Sequence, residues 1–419
     1  MSYYTDAIVT KEVQAYTNST NFRTEFRLEP NKLYMSNMRL LNIGFVEKTA
    51  ATNDVNRLVG AYGVIRNLSL FDDNELIDSL DNFNLWAAFT CYNKKNDDNL
   101  STNYFLKKNN MGLVSQGVNP SQDGVVDVVL ADNTVSDVKE ARTWLDISAY
   151  LDFLRRSRFI PTHYFKRLRI VIEYETDVKN LTPNATDAVS SLEPLLVVDE
   201  MKDPEVIAQV LKNYGTIQYQ PIETSRVVMP VHPNLPTGAG AAGNEGAVQE
   251  VTFTIQGFNN KSINRLVMMP VGQTVSSSKY GNLMAQAVNL NNFQVRTSEG
   301  NLLQGQGITL DNQRRKMLTD LYGDCNDQVG AVWVQNANTV IADDQATLGL
   351  LTPFAVKLEQ EMVQNFQVTF GRKSVYDTGG GAVQADSRYN QPFHLHFFAE
   401  VLKEIVMNPK DMSYRISYV

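Results

Sequence analysis

The chain has four histidines, and a histidine side chain can bind a metal ion or transfer a proton near neutral pH. His394 and His396 lie two positions apart in an alternating segment, and a strand would place both on one face. A metal site of the zinc type needs three or four ligands, yet His163 and His232 lie far away in the sequence. The pattern therefore predicts a packed or exposed histidine pair, no metal site and no histidine-rich cupin motif.

The two cysteines, Cys91 and Cys325, are far apart in sequence. They form neither a metal-ligand pair nor a disulfide framework. We expect both to be buried free thiols, because a free cysteine behaves as a small hydrophobic residue. Low cysteine usage also fits assembly in a reducing compartment.

Two pairs of adjacent carboxylates, Asp72 with Asp73 and Asp343 with Asp344, could act as acid and base or bind a cation. We predict turn or surface roles for both pairs, and Asp72 and Asp73 form a turn with Asn74. Calcium at a contact between subunits is the alternative, since calcium prefers oxygen ligands.

Two glycine-rich segments, TGAGAAGNEGA and DTGGGAVQ, have the composition of phosphate-binding loops. Neither lies between a strand and an amphipathic helix, and no Lys-Ser or Lys-Thr pair follows. The sequence also contains no G-x-S-x-G and no H-E-x-x-H motif. We therefore predict surface loops, no catalytic residue, no cofactor and no enzymatic activity.

Basic residues cluster in LRRSR at 154–158 and in RRKM at 314–317, both on predicted helices. A solvated helix face or salt bridges between subunits would explain them, and contact with a packaged genome or an inner membrane is the alternative. The net charge of −8 disfavours extensive binding to phosphates. We expect no sequence-specific nucleic-acid partner.

The chain that must position these residues has 419 residues, of which 43% are hydrophobic. That length suits two domains of about 200 residues. The 18 Tyr and 19 Phe residues favour many half-buried strands. The start of the sequence does not resemble a secretory signal, and no apolar run reaches the ~18 residues of a membrane span. We expect no transmembrane segment.

The hydrophobic periodicity divides the chain into two similar halves. Alternation predicts strands at 21–30, 32–47, 57–72 and 163–176 in the first half, and near-helical spacing predicts helices at 75–89 and 143–158. Asp203 as N-cap, Pro204 and Gly215 delimit a short helix. A new series of strands follows and ends with the segment 392–406, while 309–324 has helical spacing. We predict an arm at 1–20, a first domain at 21–202, a linker helix at 203–215 and a second domain at 216–419.

The order of these segments resembles the first barrel of double jelly-roll major capsid proteins of double-stranded DNA viruses, especially the virophage and polinton-like kind. The resemblance rests on FRTEFRLEP, GAYGVIRNLSLFDDNELIDSL and WLDISAYLDFLRRSRFIPTHYFKRLRIVIEYET. Leu168, Ile170, Ile172 and Glu173 match an L-x-I-x-I-E strand of that family. The resemblance implies an all-β fold of two tandem eight-stranded jelly rolls with short helices in the connecting loops.

The same resemblance implies a structural role. Such proteins form pseudo-hexagonal homotrimers, and contacts between trimers tile an icosahedral shell that encloses a double-stranded DNA genome. The partners would be further copies of the chain and penton and minor capsid proteins, in a virion assembled inside the host cell. The alternatives are a minor or accessory virion protein of related fold, or a carbohydrate-binding β-sandwich protein.

Overall fold

The structure is a computed structural model of the chain. It describes residues 7–19, 22–41, 45–47, 64–87, 144–176, 188–190, 194–233, 247–272, 288, 290–296, 307–309, 313, 317, 321, 354–363, 365–374 and 390–419.

The first half of the chain contains thirteen described strands, one short α-helix and a further helical stretch at 83–87. The strands are β1 (Ile8–Gln14), β2 (Thr17–Ser19), β3 (Arg23–Arg27), β4 (Leu33–Met35), β5 (Arg39–Leu41), β6 (Phe45–Glu47), β7 (Ile65–Asp72), β8 (Glu75–Asp81), β9 (Trp144–Asp146), β10 (Phe159–Pro161), β11 (Leu168–Tyr174), β12 (Ala188–Ser190) and β13 (Leu195–Met201). Helix α1 spans Asp152–Arg156.

Helix α2 (Pro204–Asn213) connects this half to the second. The strands that follow are β14 (Thr216–Tyr219), β15 (Ile222–Met229), β16 (Val248–Ile255), β17 (Lys261–Gly272), β18 (Leu290–Arg296), β19 (Phe354–Val363), β20 (Phe366–Lys373), β21 (Phe393–Val401), β22 (Lys403–Asn408) and β23 (Ser413–Tyr418). Asp203 caps α2 as predicted, because its carboxylate accepts hydrogen bonds from the backbone N–H groups of Glu205 and Val206.

The first half folds into a sandwich of two sheets. One sheet places β1 next to β13, then the β4–β5 segment, then β10 and β9. The other sheet has the order β3-β11-β7-β8. Numbered along the chain, the eight main positions are β1, β3, β4 with β5, β7, β8, β9 with β10, β11 and β13. The two sheet orders are then 1-8-3-6 and 2-7-4-5. That arrangement is a jelly roll.

The second half repeats this strand order. One sheet has the order β15-β21-β17-β19, which is again 1-8-3-6. The other has the order β16-β20-β18, which is 2-7-4. Among the described residues no strand occupies the fifth position, and most residues between β18 and β19 lie outside the described part of the chain.

Each sandwich has its own hydrophobic core, and one sheet contributes to both. Phe293, Phe354 and Phe370 are fully buried in the second core, with the rings of Phe293 and Phe354 stacked 4.1 Å apart. Strand β17 sends Leu266 and Met268 into that core, whereas its alternate residues Val267, Met269 and Val271 lie in the first core. The strand is apolar from Leu266 to Val271 because both of its faces are buried there.

The alternation predicted for 21–30 is largely confirmed. Thr24, Phe26 and Leu28 are buried, but Phe22 is exposed. The opposite face is not simply solvated, because Glu25 is also buried there. Its carboxylate is satisfied by the guanidinium groups of Arg27, at 2.8 Å, and of Arg169, at 3.1 Å.

Two of the three predicted helices differ from the structure. Residues 75–81 form strand β8, and the described residues 83–87 are helical. A bulge in the pairing with β7 disturbs the alternation of β8, so its buried residues mimic helical spacing. The segment 143–158 begins as strand β9 and becomes α-helical only at α1. Of the helix predicted at 309–324, Gln313, Met317 and Leu321 are described, and all three are helical.

One further prediction was wrong about the chain's organisation. Residues 8–14 are not an arm, because they pair along their whole length with β13 as the first strand of the first jelly roll. The segments 163–176 and 392–406 also hold different places in their two sandwiches. Strand β11 is seventh in its sandwich and matches β20, whereas β21 is eighth and matches β13. The segment 392–406 also contains two strands, β21 and the start of β22.

Replacing Phe370 by Ala tests the second core. The ring is fully buried between those of Phe293, Phe354 and Phe393, so the cavity left behind should lower the free energy of unfolding by about 3–5 kcal/mol. Urea unfolding followed by tryptophan fluorescence and circular dichroism measures this loss. Val248→Ala, at an exposed site, is the control and should change the free energy by less than about 1 kcal/mol. A loss at Phe370 no larger than the control would contradict this assignment of the core.

Candidate functional site

The junction between the two sandwiches is the first feature with functional consequences. Strand β8, fifth in the first sandwich, lies beside β15, first in the second, and Leu80 pairs with Ile222 in parallel. One sheet therefore runs from β2 and β3 of the first sandwich to β19 of the second. Trp86 covers this sheet, with its ring 5.3 Å from that of Phe398 on β21. The two sandwiches share apolar contacts as well as a sheet.

The last two strands of the chain add further contacts at this junction. After β21 the hairpin β22–β23 joins β14 in a three-stranded sheet, and Ile405 and Met407 of β22 are buried in the first core. The ring of Tyr414 on β23 lies 5.0 Å from that of Phe165. The hydroxyl of Tyr219 on β14 donates to the carbonyl oxygen of Ile77 at 2.8 Å. Residues of the second half thus complete the first sandwich.

Asp72 lies where this hairpin meets the turn after β7. Its carboxylate accepts backbone hydrogen bonds from Lys166, at 3.1 Å, and Arg167, at 2.6 Å. The Tyr414 hydroxyl lies 2.9 Å from Asp72 and 2.8 Å from Glu75, and its one proton can serve only one of them at a time. Burial and these two acceptors raise the pKa of Tyr414.

The predicted turn role of the Asp72–Asp73 pair agrees with this geometry, because Asp73 adopts a left-handed backbone conformation with φ of 52°. The second predicted pair, Asp343 with Asp344, lies outside the described residues.

A half-buried ion cluster joins β15, β17 and the final hairpin. The Glu223 carboxylate contacts the ammonium groups of Lys261 and Lys403, the latter at 3.2 Å, and accepts a hydrogen bond from Tyr418 at 2.9 Å. Burial alone would raise the pKa of Glu223, but the two lysines reverse this effect, and the pKa lies below its usual value. The charge on Glu223 therefore helps to hold the hairpin in place.

Asp78 is a fully buried carboxyl group on β8 at the same junction. Its Oδ2 atom accepts a hydrogen bond from the backbone N–H of Phe153 at 2.8 Å, while Oδ1 has no hydrogen-bond partner among the described residues. Burial raises the pKa of Asp78 to about 7, with the charge of nearby Asp152 adding to this shift. Asp152 accepts from the backbone N–H of Gln220 and contacts Arg155 and Arg156. Two of the arginines in the predicted basic cluster thus pair within the chain.

The third arginine of that cluster, Arg158, has its guanidinium over the ring of Phe159 at 5.5 Å. The second basic cluster, at 314–317, lies outside the described residues except for Met317, which packs against the second core.

A charge cluster holds the first strand of the chain. Glu200 on β13 is buried and contacts the ammonium groups of Lys11 on β1, Lys32 and Lys202. Burial alone would raise the pKa of Glu200, but hydrogen bonds from Lys11 and Lys202 and the lysine charges lower it to about 2. The hydroxyl of Thr10 also donates to Asp199 at 2.7 Å. These contacts explain why a strand of polar sequence lies on β13.

The two glycine-rich segments lie mostly outside the described residues, but their ends meet at a buried arginine. Arg372, which is fully buried, donates through Nε to Gln249 and through Nη2 to the carbonyl oxygen of Pro230, at 2.8 and 2.7 Å. It also donates to the carbonyl oxygens of Asn390 and Gln391. Burial lowers the pKa of Arg372 to about 10, which leaves it charged near neutral pH. The hydrogen bonds of Arg372 thus link the chain segments that flank both glycine-rich loops.

His394 and His396 lie on β21 with their rings stacked 5.8 Å apart, on one face as predicted. Burial, followed by the nearby charges of His394 and Arg226, lowers the pKa of His396 to about 3. His232 is buried, with Nε2 bonded to the Ala247 carbonyl oxygen at 3.0 Å. Burial lowers the pKa of His163 on the first sandwich.

The structure does not bring these histidines together with further ligands. Among the described residues, no group of three or more His, Cys, Asp or Glu side chains could hold a metal ion. Cys91 and Cys325 lie outside the described residues. In the part of the chain that the structure describes, no helix is long and apolar enough to cross a membrane.

Solved structures with the same arrangement cover nearly the whole chain. VP54 of PBCV-1, fitted into a cryo-EM reconstruction of the virophage Sputnik, superimposes with a TM-score of 0.60 at 10% identity, over 98% of this chain and 97% of that one. The mavirus major capsid protein gives a TM-score of 0.55 at 9% identity, over 98% and 90%. The Faustovirus major capsid protein gives 0.53 at 8% identity, over 96% and 90%.

The chain folds as a double jelly roll. No protein-family model matches its sequence, and no curated protein matches it. At about a tenth of identical residues, the likeness to these capsid proteins establishes the shared fold. The expected all-β class with two tandem jelly rolls is thus confirmed.

Asp78→Asn tests the buried carboxyl group of the double jelly roll. In the folded state the group keeps its proton up to about pH 7, whereas in the unfolded chain it loses the proton near 3.8. The stability that the protonated group provides is therefore complete below about pH 4 and is lost as the pH rises to about 7, by roughly 4 kcal/mol. Asn cannot ionise, so the variant should lack this part of the pH dependence.

Urea unfolding between pH 4 and 8 measures this difference between the variant and the wild-type protein. Asp73→Asn, at a site whose side chain is 48% exposed, is the control and should follow the wild-type pH profile. Equal pH dependence in Asp78→Asn and wild type would show that Asp78 is ionised in the folded protein.

Arg372→Met tests the contact at the base of the loops. The substitution leaves Gln249 and three backbone carbonyl oxygens without this donor, and it should lower the free energy of unfolding by about 3 kcal/mol or more. Thermal unfolding by calorimetry measures the change. The adjacent substitution Lys373→Met is the control and should cost less than about 1 kcal/mol; equal losses would remove any special role for Arg372.

Proposed function

We propose that the chain is a viral major capsid protein whose role is structural and not enzymatic. The observation that carries the proposal is the repeated jelly roll itself, joined edge to edge across the whole chain and shared in full length with major capsid proteins. Rigid β-sandwiches joined in this way offer flat sides for contacts between copies and carry loops at their ends.

The copies would form pseudo-hexagonal homotrimers, since three chains supply six similar sandwiches around one axis. Heterologous side contacts close into a ring when the rotation between copies allows it. Contacts between trimers would then tile an icosahedral shell in the virion around a double-stranded DNA genome. Penton and minor capsid proteins would complete the shell, which would be assembled inside the host cell.

The net charge of −8 is compatible with this role, because a shell can enclose a genome without binding its phosphates over a large surface. The described arginines of the first basic cluster are engaged within the chain: Arg155 and Arg156 contact Asp152. We therefore assign no sequence-specific nucleic-acid contact to this protein.

We also propose a domain division that follows the strand order. The first jelly roll comprises residues 8–201 and begins with β1. Helix α2 connects it to the second jelly roll, which comprises residues 222–401. Strand β14 and the hairpin β22–β23 belong to the second half in sequence but cover the first jelly roll in space.

The oligomeric state of the purified protein tests this function. We expect light scattering coupled to size exclusion to give three copies of the 47.1 kDa chain, about 141 kDa, and negative-stain images to show particles of hexagonal outline. Copy number in purified virions separates a major from a minor capsid protein. A chain that stays monomeric at high concentration, with no hexagonal particles, would overturn the proposal.

A further inference from the structure

One face of β21 carries a cluster of basic side chains. His394 and His396 share this face because they lie two residues apart on the strand, and their rings stack 5.8 Å apart. Strand β15 places Arg226 directly opposite His396, and residues opposite each other in an antiparallel pair point to the same side of the sheet. On the other side, β17 pairs His396 with Met269, which lies in the first core. We call Arg226, His394 and His396 the Arg–His cluster.

The Arg–His cluster lies where this sheet face passes from the buried junction to solvent. One row nearer the junction, Trp86 covers the ring of Phe398. One row farther out, Val228 pairs with His394 and is 50% exposed. Between these rows, Arg226 is exposed and His396 is only 7% exposed. A small ion can therefore approach the cluster from solvent and still lie beside a buried imidazole.

The described charges that act on the two imidazoles are all positive. Burial lowers the pKa of His394, and the charge of Arg226 lowers it further. Burial, followed by the charges of His394 and Arg226, lowers the pKa of His396 to about 3. Strand β17 adds only Met269 and Val271 to these rows, and neither can ionise. Among the described residues, the cluster has no carboxylate that balances its charge.

His396 also has an unsatisfied polar atom. Its Nδ1 is buried and has no hydrogen-bond partner among the described residues, although most buried polar atoms in proteins are hydrogen-bonded. The other buried histidine, His232, has the usual arrangement, with Nε2 bonded to the Ala247 carbonyl oxygen at 3.0 Å. Arg226 repels a cation from this place. An anion supplies the negative charge that the cluster lacks, and its oxygens accept hydrogen bonds from nitrogen donors.

We propose that Arg226, His394 and His396 form a binding site for a single tetrahedral oxyanion, of the class of inorganic phosphate or sulfate. The guanidinium of an arginine suits such an ion because it presents a fixed fork of donors. A protonated histidine adds a donor at each ring nitrogen. One permanent cation fits one ion, whereas binding to a nucleic-acid strand uses a row of cations. The site goes beyond the proposed capsid function and does not depend on it.

A bound oxyanion would link this face of the sheet to pH. In the unfolded chain His396 takes up a proton near pH 6.5, whereas in the folded protein it does so only near pH 3. The stability from the neutral imidazole is therefore complete above about pH 6.5 and is lost as the pH falls. An anion favours the protonated imidazoles and raises their pKa. Anion binding should thus take up protons and become tighter in acid.

Isothermal titration calorimetry with sulfate tests the site in the full-length protein, at an ionic strength held constant with sodium chloride. Sulfate keeps its charge between pH 5.5 and 8, so a change in affinity reports protonation of the protein. We expect saturable binding of one sulfate per chain that tightens at least about threefold from pH 8 to pH 5.5. Titrations in two buffers of different ionisation enthalpy should show proton uptake.

Two substitutions assign the binding to the cluster. Arg226→Gln should weaken sulfate binding at least about tenfold, because it removes the permanent cation and its charge-assisted hydrogen bonds. Arg415→Gln, at an exposed arginine of β23, is the matched control and should bind as the wild type does. His396→Gln should reduce the proton uptake and the pH dependence, with His163→Gln as its control. Circular dichroism checks the folding of each variant, and the exposed position of Arg226 keeps the test valid if His396→Gln does not fold.

Three results would overturn the inference. The first is no saturable sulfate binding to the wild-type protein, and the second is equal affinity in Arg226→Gln and wild type. The third is binding without proton uptake, which would remove the histidines from the site. A single-stranded oligonucleotide serves as a second probe and should bind no more tightly than sulfate. Tighter binding of the oligonucleotide that depends on Arg226 would assign the site to a nucleic-acid backbone and would also overturn the inference.

Discussion

The sheet that crosses from the first jelly roll to the second constrains the rest of the molecule, because its strands in the second half must bury side chains on both faces. Leu266 and Met268 of β17 face one core while Val267 and Met269 face the other. Such a strand has no solvated face and can tolerate few polar residues. The two jelly rolls are therefore held together by a shared layer of the fold, which a flexible linker could not provide.

Polar groups at this junction add specificity to that apolar layer. Burial keeps Asp78 protonated to about pH 7, and Glu223 stays charged because Lys261 and Lys403 lie against it. Each group forms hydrogen bonds or ion pairs that only the observed packing provides. A displaced hairpin or a shifted strand would therefore leave polar atoms without a partner. A similar argument applies to Arg372, whose hydrogen bonds link the segments that flank the two glycine-rich loops.

Much of the fold could be predicted from the sequence, since alternation in β3, β11 and β20 and the cap at Asp203 are local signals. The errors came from distant contacts. Strand β8 was predicted as a helix because a bulge against β7 disrupts its alternation. Strand β1 was predicted as an arm because an edge strand buries little, and its stabilising partners Asp199 and Glu200 lie almost half the chain away.

The junction between the two sandwiches was harder to predict from the sequence than the strands, because no motif marks it. The residues that could do chemistry, His394 and His396, pack within the second jelly roll without a ligand set among the described residues.

The most informative feature is instead a difference between two equivalent edges: β15 is met by β8 within the chain, whereas β1 has no described partner on its outer side. Among the described residues, the fold therefore leaves one of its two equivalent edges without a strand partner. An open edge can pair with another strand, and this supports the proposed assembly of several copies.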